Sequence, residues 1–383
     1  MMLMVSHGAH AFAHARAWTP ARDKSFERQL ARFHPKRRAG VCALAERHVR
    51  LAELSESFPA LLMALAWPRA RFDPKPVIAG VIAGSPLASL AAQADVPLWL
   101  RRMRPEMLPG PLPRLPDSPF LRHRIVNHFP THRKRAAEWF RAVSFAGEWV
   151  NEEFALWCAN VFAKRVQRGR ADTLRLVGLW AWYSGRPNTP AATFMRTSFN
   201  PAMDYKAAAT AAFKWRERIG LYLLLGFRSL EDMWLSPATV DGFEFVPLKD
   251  AASIDAEAEA MQHCLRTYAE SLARNTTRFW SVRRDGARVA TLELQRSGNE
   301  RVPGLGQVRL VRNGDPSHQV WTAAHRWLRG QEVRELDADA CIWRAAVPER
   351  RRWQFLWKPY WMAKGRIPKW LPLVPTSDTL DDL

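Results

Sequence analysis

The dipeptide His263-Cys264 is where the chain first brings together residue types capable of covalent chemistry. A thiol attacks as its thiolate, which a nearby base or cation must stabilise at neutral pH. Imidazole titrates near neutrality and suits proton transfer. Whether the pair can cooperate depends on the element carrying it. Ala258, Met261, Leu265, Tyr268 and Leu272 recur at spacings of three and four, which predicts the apolar face of one helix with Ser253 as its N-cap. On a continuous helix adjacent side chains diverge by about 100°. His263 then points away from the apolar face, Cys264 sits at its edge as a small buried packing residue, and the two cannot pair. A base for Cys264 would have to come from elsewhere, with His318 a candidate. His263 remains as the acid or base that a ligand or second element could meet.

Further polar groups lie downstream. Phe279 to Arg284 and Arg288 to Gln295 flank Asp285-Gly286, a dipeptide suited to a tight hairpin turn. The register expected across that turn puts Arg278 opposite Glu293, Trp280 opposite Thr291 and Val282 opposite Val289, with Ser281 and Arg283 on the other face. A third strand, Gln307 to Arg312, follows Gly304 and Gly306. Asn313 to Pro316 ends it, and Ser317 caps a helix carrying Val320, Trp321, Ala324, Trp327 and Leu328. The result is an α-β-β-β-α unit, a three-stranded antiparallel sheet flanked by helices. His263, Cys264, Arg283 and Glu293 are the catalytic candidates, with Gln307 beside them. In this register they do not share one sheet face without help from a loop or edge.

Several linked pieces of this stretch resemble a known family. Glu257, Met261, His263, Cys264 and Tyr268 form the first run; Ser281 with Arg283, then Ala290-Thr291-Leu292-Glu293-Leu294, the second; Gln307-Val308-Arg309 with Asn313 and Pro316 the third. In order and spacing they are similar to the PcfJ-like domain family, found in proteins of conjugative plasmids and related mobile elements. The resemblance extends back to Asn200-Pro201 and Trp215, covering roughly residues 200–330. It implies an accessory role in a mobile element and supplies no reaction. Ala258, Arg266 and Leu310 stand where the family usually has glycine. If those glycines let a ligand approach the backbone, this copy is altered or inactive.

The bulk properties set the frame. A chain of 383 residues, 48% hydrophobic and 25% charged, has the composition of a folded protein with several regions. The expected class is α+β and predominantly helical. Residues 1–103 read as a helical N-terminal region with helices around Phe26 to Phe33 and Val41 to Leu65. Residues 104–119, rich in proline, read as a linker. Residues 120–250 form a helical middle region with helices at Asp172 to Trp182 and Met203 to Leu224. Within it, Leu230 to Phe245 reads as a short helix followed by a turn at Asp241-Gly242. The module spans 251–345, and a basic, Trp-rich tail spans 346–383.

The 57 basic residues outnumber the 37 acidic ones, a net charge of +20, and such a field favours polyanions. DNA or RNA is therefore the expected partner. In the tail, Arg350, Arg351, Arg352, Trp353, Trp357, Lys358, Trp361 and Lys364 interleave cations and rings as a single-stranded nucleic-acid site would; a membrane-surface contact or plain packing are the alternatives. His7, His10 and His14 share a helical spacing, but no Cys or carboxylate accompanies them, so no metal is assigned. No P-loop, dinucleotide-binding, zinc-protease or serine-hydrolase motif occurs and no cofactor is assigned. Four widely separated cysteines suggest no disulfide framework and fit a cytoplasmic protein, and no stretch reads as a membrane span. Three functions follow: a mobile-element accessory protein that binds nucleic acid; an enzyme processing nucleic acid or nucleotides with His263 as acid or base; and a protein-interaction scaffold in a transfer complex.

Overall fold

Prolines scattered through the first third of the chain start helices instead of breaking them. Pro35, Pro59, Pro74 and Pro119 each stand in a first helical turn, where the missing N–H costs nothing. The computed structural model describes residues 24–67, 72–164, 171–296, 302–332, 336 and 346–380. It divides into two units, Met1–Arg168 and Gly169–Leu383.

The first unit is helical: α1 (Lys24–Ala31), α2 (Pro35–Ala45), α3 (Val49–Ser57), α4 (Pro59–Ala66), α5 (Pro74–Ala83), α6 (Leu87–Gln93), α7 (Pro119–Ile125), α8 (Arg133–Trp149) and α9 (Glu152–Lys164). The expected linker at 104–119 lies inside this unit. Met107, Leu108 and Leu115 are buried, Trp99 Nε1 donates to the Pro116 carbonyl at 3.3 Å, and a Cβ on Gly147 would meet the Pro116 ring at 2.8 Å. Proline here holds an extended segment against the core. The boundary falls later, at 168/169, where the sequence carries no proline cluster. His7, His10 and His14 lie outside the described residues.

The second unit runs α10 (Ala171–Ser184), α11 (Tyr205–Leu225), β1 (Ala238–Val240), β2 (Phe243–Pro247), α12 (Ala251–Met261), α13 (Ala269–Ala273), β3 (Thr277–Arg284), β4 (Ala287–Arg296), β5 (Pro303–Arg309), α14 (His318–Arg329) and α15 (Arg350–Lys364). The class is α+β with helices predominating, but the antiparallel sheet has five strands in the order β1-β2-β3-β4-β5, where three were expected. The two extra strands come from the segment read as a short helix. Asp241 and Gly242, both at positive φ, turn β1 back onto β2.

Each face of the sheet meets a different layer. Phe245, Trp280, Val282, Leu292, Leu294 and Val308 pack against Val320, Ala324 and Trp327 of α14, with Phe245 stacked on Trp327 at 4.5 Å. On the opposite face Phe279 joins a core with Ile254, Ala258, Leu265 and Leu272 from α12, α13 and the turn between them, and with Leu221 and Leu225 of α11. Helix α15 packs on α10 and α11: the Tyr183 hydroxyl donates to the Leu356 carbonyl at 2.8 Å, and Trp357 meets Trp215 and Tyr183 edge-on. No helix of the described residues is long and apolar enough to cross a membrane.

Candidate functional site

The site begins where α12 fails to continue. Asp250, not Ser253, is its N-cap: the Asp250 carboxylate accepts from Ser253 N at 2.7 Å, and Ser253 Oγ accepts from Asp250 N at 3.1 Å, a reciprocal capping box. After Met261 the chain turns left-handed at Gln262, φ 54°, and resumes as a 3-10 turn over Leu265–Tyr268. The expected stripe is still buried at Ala258, Met261, Leu265 and Leu272. The break, however, reverses its two chemical residues. His263 is buried at 9% exposure, its Nε2 donating to the Leu310 carbonyl at 2.5 Å, whereas Cys264 is exposed. With the helix broken, the angular objection to the pair also lapses.

These placements predict stabilities opposite to the helical reading. His263→Ala is expected to cost about 1–3 kcal/mol, because the Leu310 carbonyl loses its donor. Cys264→Ser should stay within about 0.5 kcal/mol at an exposed position. Denaturant unfolding of the two variants checks this, and the reverse ranking would return Cys264 to the core.

The strands supply the floor. Phe279 of β3 lies opposite Glu293 of β4, which lies opposite Gln307 of β5; Ser281, Thr291 and Arg309 form the next row. A bulge between Val282 and Arg283 shifts the β3–β4 register by one residue from the expected one. Arg278 therefore pairs with Leu294, Trp280 with Leu292 and Val282 with Ala290. Glu293 is thus freed from the expected pairing with Arg278, whose guanidinium instead donates to the Asp232 carbonyl at 2.6 Å and covers the Trp234 ring. One step in register turns every side chain over. Ser281, Arg283, Thr291, Glu293, Gln307 and Arg309 consequently share a face, the arrangement the expected register denied them.

Between that face and the turn after α12 lies a pocket of about 350 Å³ lined by His263, Cys264, Leu265, Tyr268, Phe279, Thr291, Glu293, Gln307, Arg309 and Asn313. Glu293 is 1% exposed. Gln307 Nε2 donates to its Oε2 at 2.5 Å and Gln295 Nε2 to its Oε1 at 2.7 Å. Gly306 makes room for Gln295: a Cβ there would meet the Gln295 side chain at 2.8 Å. Gln307 Nε2 also donates to the Tyr268 hydroxyl at 3.2 Å, and Arg309 Nε donates to Gln307 Oε1 at 3.3 Å. Burial, and then the charge of Glu293, push the Tyr268 phenol up, so it stays protonated. Behind the wall, Glu257, 0% exposed, accepts from Thr291 Oγ1 at 2.9 Å and from Arg288 Nε at 2.8 Å, fixing Thr291.

The rim is built from two left-handed corners. Gln262 forms one, Arg312 and Asn313 at φ 58° and 60° the other, and Arg312 Nε donates to Gln262 Oε1 across them at 2.8 Å. Non-glycine residues held there cost on the order of 1 kcal/mol or more each, and such strain concentrates at binding sites.

Of the four catalytic candidates the structure brings His263, Cys264 and Glu293 into the pocket. Arg283 lies farther along the same face, its Nε donating to Ser281 Oγ at 3.2 Å, and does not line the pocket. Arg309 is the lining cation instead; its position two residues after Gln307 on one strand was the available signal. Among the positions where family glycines were expected, Ala258 is core, Leu310 offers only its carbonyl to His263, and Arg266 is buried in an ion cluster with Arg218, Asp255 and Glu259. None of the three lines the pocket.

The tail is corrected more severely. Trp353, Trp357 and Trp361 are all buried, with Trp353 Nε1 donating to Pro372 and Trp361 Nε1 to Leu371 carbonyls, so these three rings offer no face to a base. Arg352 is half-buried, donates to the Leu223 carbonyl at 3.3 Å and pairs with Glu349. Lys364, half-buried, is pushed down to about 8 by burial and the charges of Arg186 and Arg366. Only Arg350, Arg351 and Lys358 of the expected set remain exposed.

Among the described residues no group of His, Cys, Asp and Glu could hold a metal ion. No family model, curated protein or solved structure matches this chain.

Proposed function

We propose that this chain is a PcfJ-like accessory protein of mobile elements that works in the cytoplasm on nucleic acid or its nucleotides, with the pocket of the second unit as its working part. One observation carries the reading. Eight of the ten lining residues, His263, Cys264, Tyr268, Thr291, Glu293, Gln307, Arg309 and Asn313, are residues on which the family resemblance rests, though they come from three separate stretches of sequence. A concave site with convergent polar groups and a buried carboxylate is the usual form of a ligand site. The net charge of +20 suits a phosphate-bearing ligand. Within the pocket the acid or base role passes from His263, whose Nε2 is engaged by Leu310, to Glu293. Tyr268 is the neighbouring hydrogen-bond donor.

Cys264 supplies the test, because it is exposed and lines the pocket while Cys158 is buried. At a ligand concentration tenfold above Kd only the free fraction reacts, so alkylation of Cys264 by iodoacetamide should slow about tenfold. Mass spectrometry of the Cys264 peptide follows it, with Cys42 as internal control. Mononucleotides and single-stranded oligonucleotides at low salt are the probes. Cys264 reacting at one rate with and without every probe overturns the reading and moves the weight to a protein-interaction scaffold.

A further inference from the structure

The hydrogen bonds inside the pocket determine what a ligand must bring. A carboxylate offers about four lone-pair positions and no proton, and Glu293 has one described partner on each oxygen, leaving each a free acceptor direction. Both N–H groups of Gln307 are spent, on Glu293 and Tyr268, while its Oε1 accepts only from Arg309. Opposite orientation of that amide would aim an oxygen at a carboxylate and turn Oε1 away from a guanidinium donor, so the chemistry fixes it. The Thr291 hydroxyl donates its hydrogen bond to Glu257 and toward a ligand can only accept. The floor is therefore rich in acceptors. Donors come from the side: the Tyr268 hydroxyl, which accepts from Gln307 and keeps its own proton, and Arg309 at the rim. The rings of Phe279 and Tyr268, edge-to-face at 5.0 Å, complete the wall.

Resting on the reading of this pocket as a nucleotide site, we propose that it takes guanine, with the adjacent N1–H and N2–H of the base donated to the Glu293 carboxylate. Guanine alone among the common bases presents two neighbouring donors on one edge. Cytosine and adenine offer a single exocyclic amine, and uracil and thymine a lone N–H between two carbonyls that the acceptor-rich floor would repel. The guanine O6, next in line, needs a donor, and Tyr268 and Arg309 are the donors present. The base edge is open to such contact in a free nucleotide or in an unpaired residue of nucleic acid, not in a duplex.

Equilibrium binding of the full chain to GMP, IMP, AMP, CMP and UMP tests this without altering the protein. IMP keeps N1–H and O6 but lacks the amino group, so it should bind about tenfold or more weaker than GMP, one hydrogen bond to a charged acceptor being lost. UMP should bind weakest. Glu293→Gln, of nearly the same shape, should abolish the GMP preference over IMP, with the near-ultraviolet circular dichroism showing that the fold persists. A parallel series uses oligonucleotides with a single guanine or inosine, single-stranded and duplex. Preference with GMP alone assigns a free nucleotide; preference with the single strand alone assigns an unpaired residue of nucleic acid. Equal binding of GMP, IMP and UMP, with no guanine preference in the single strands, overturns the guanine assignment and leaves the nucleotide reading standing. No binding by any of them removes both.

Discussion

Trp357→Ala is expected to cost about 3–5 kcal/mol, the range for removing a large aromatic from a packed core. Trp357 is 1% exposed and meets Trp215, Tyr183 and Trp353 at centroid separations of 5.6–5.9 Å. These rings are themselves held in place, Tyr183 against Trp182, Trp215 and Tyr360, Trp215 through its Nε1 on the Ala191 carbonyl and Trp353 through its Nε1 on the Pro372 carbonyl, which limits collapse into the space. At roughly 2–4 °C per kcal/mol for a unit of this size, the midpoint of thermal unfolding should fall by about 6–20 °C. Trp357→Phe should cost much less. The indole Nε1–H is buried without a hydrogen-bond partner, and the smaller ring removes that penalty while keeping most of the contact. Calorimetry of the two variants separates a packing role from any other; a Trp357→Ala protein that melts like the parent would remove α15 from the core.

Asp255→Asn carries the second large effect. Arg218 and Arg266 are 6% and 3% exposed, and Asp255 Oδ1 receives the Nε of both, at 3.0 and 2.5 Å. Neutralising that carboxylate leaves the two buried guanidinium groups with Glu259, which is more than half exposed, as the one carboxylate that both still pair with among the described residues. About 3 kcal/mol or more of stability should be lost, since breaking a buried pair leaves a charge without compensation. Burial alone would raise the Asp255 carboxyl. The hydrogen bonds and charges of Arg266 and Arg218 outweigh it and hold the pKa below the ordinary carboxylate value. A pKa depressed by folding means stability present above the unfolded value, about 3.9, and lost as pH falls through the folded one. The parent should therefore lose stability steeply below about pH 4, and the Asp255→Asn variant less so. Denaturant midpoints across about pH 3–7 check it; parallel curves would show that the cluster contributes nothing. Arg266→Gly, which introduces the glycine usual in the PcfJ-like domain family that the sequence resembles, should be destabilising for the same reason.

Much of the second unit could be read from residue spacing. The stripe from Ala258 to Leu272 identified four buried positions, Ala258, Met261, Leu265 and Leu272, while its fifth member, Tyr268, is partly exposed in the pocket wall; a 3-10 turn keeps nearly the same face toward the core for one turn. The same stripe could not reveal the break at Gln262: that segment contains no Gly or Pro, and the left-handed corner is stabilised by contacts from β5 and its exit, distant in sequence. The inversion of His263 and Cys264 followed from that one residue. The β3–β4 hairpin was legible from Asp285-Gly286, but the bulge at Val282 and Arg283 leaves no compositional mark, and a single residue of slip moved Glu293 to the opposite face. The β1–β2 hairpin had the same Asp-Gly signature at 241–242 and an alternation at Phe243, Glu244 and Phe245. It was obscured because β1 is three residues long and Pro247 ends β2. In the tail, composition alone could not distinguish rings that cover a core from rings that await a base. Burial decides that, and burial depends on α10 and α11.

The chain order of the second unit has a consequence for how it is made. Every strand pairs with its neighbour in sequence, and β1–β2 and β3–β4 close through tight Asp-Gly turns, so these pairs form with little loop-closure entropy, while β2 meets β3 across the segment that carries α12 and α13. Helices α10 and α11 wait longer. The partner of Tyr183 is Leu356, 173 residues on, and Trp215 is covered by Trp357. During synthesis, at roughly 5–20 residues per second, these aromatic faces remain uncovered for several seconds to half a minute after they emerge. They are the surfaces on which a holdase chaperone would act, and a chain stopped before α15 would present them permanently.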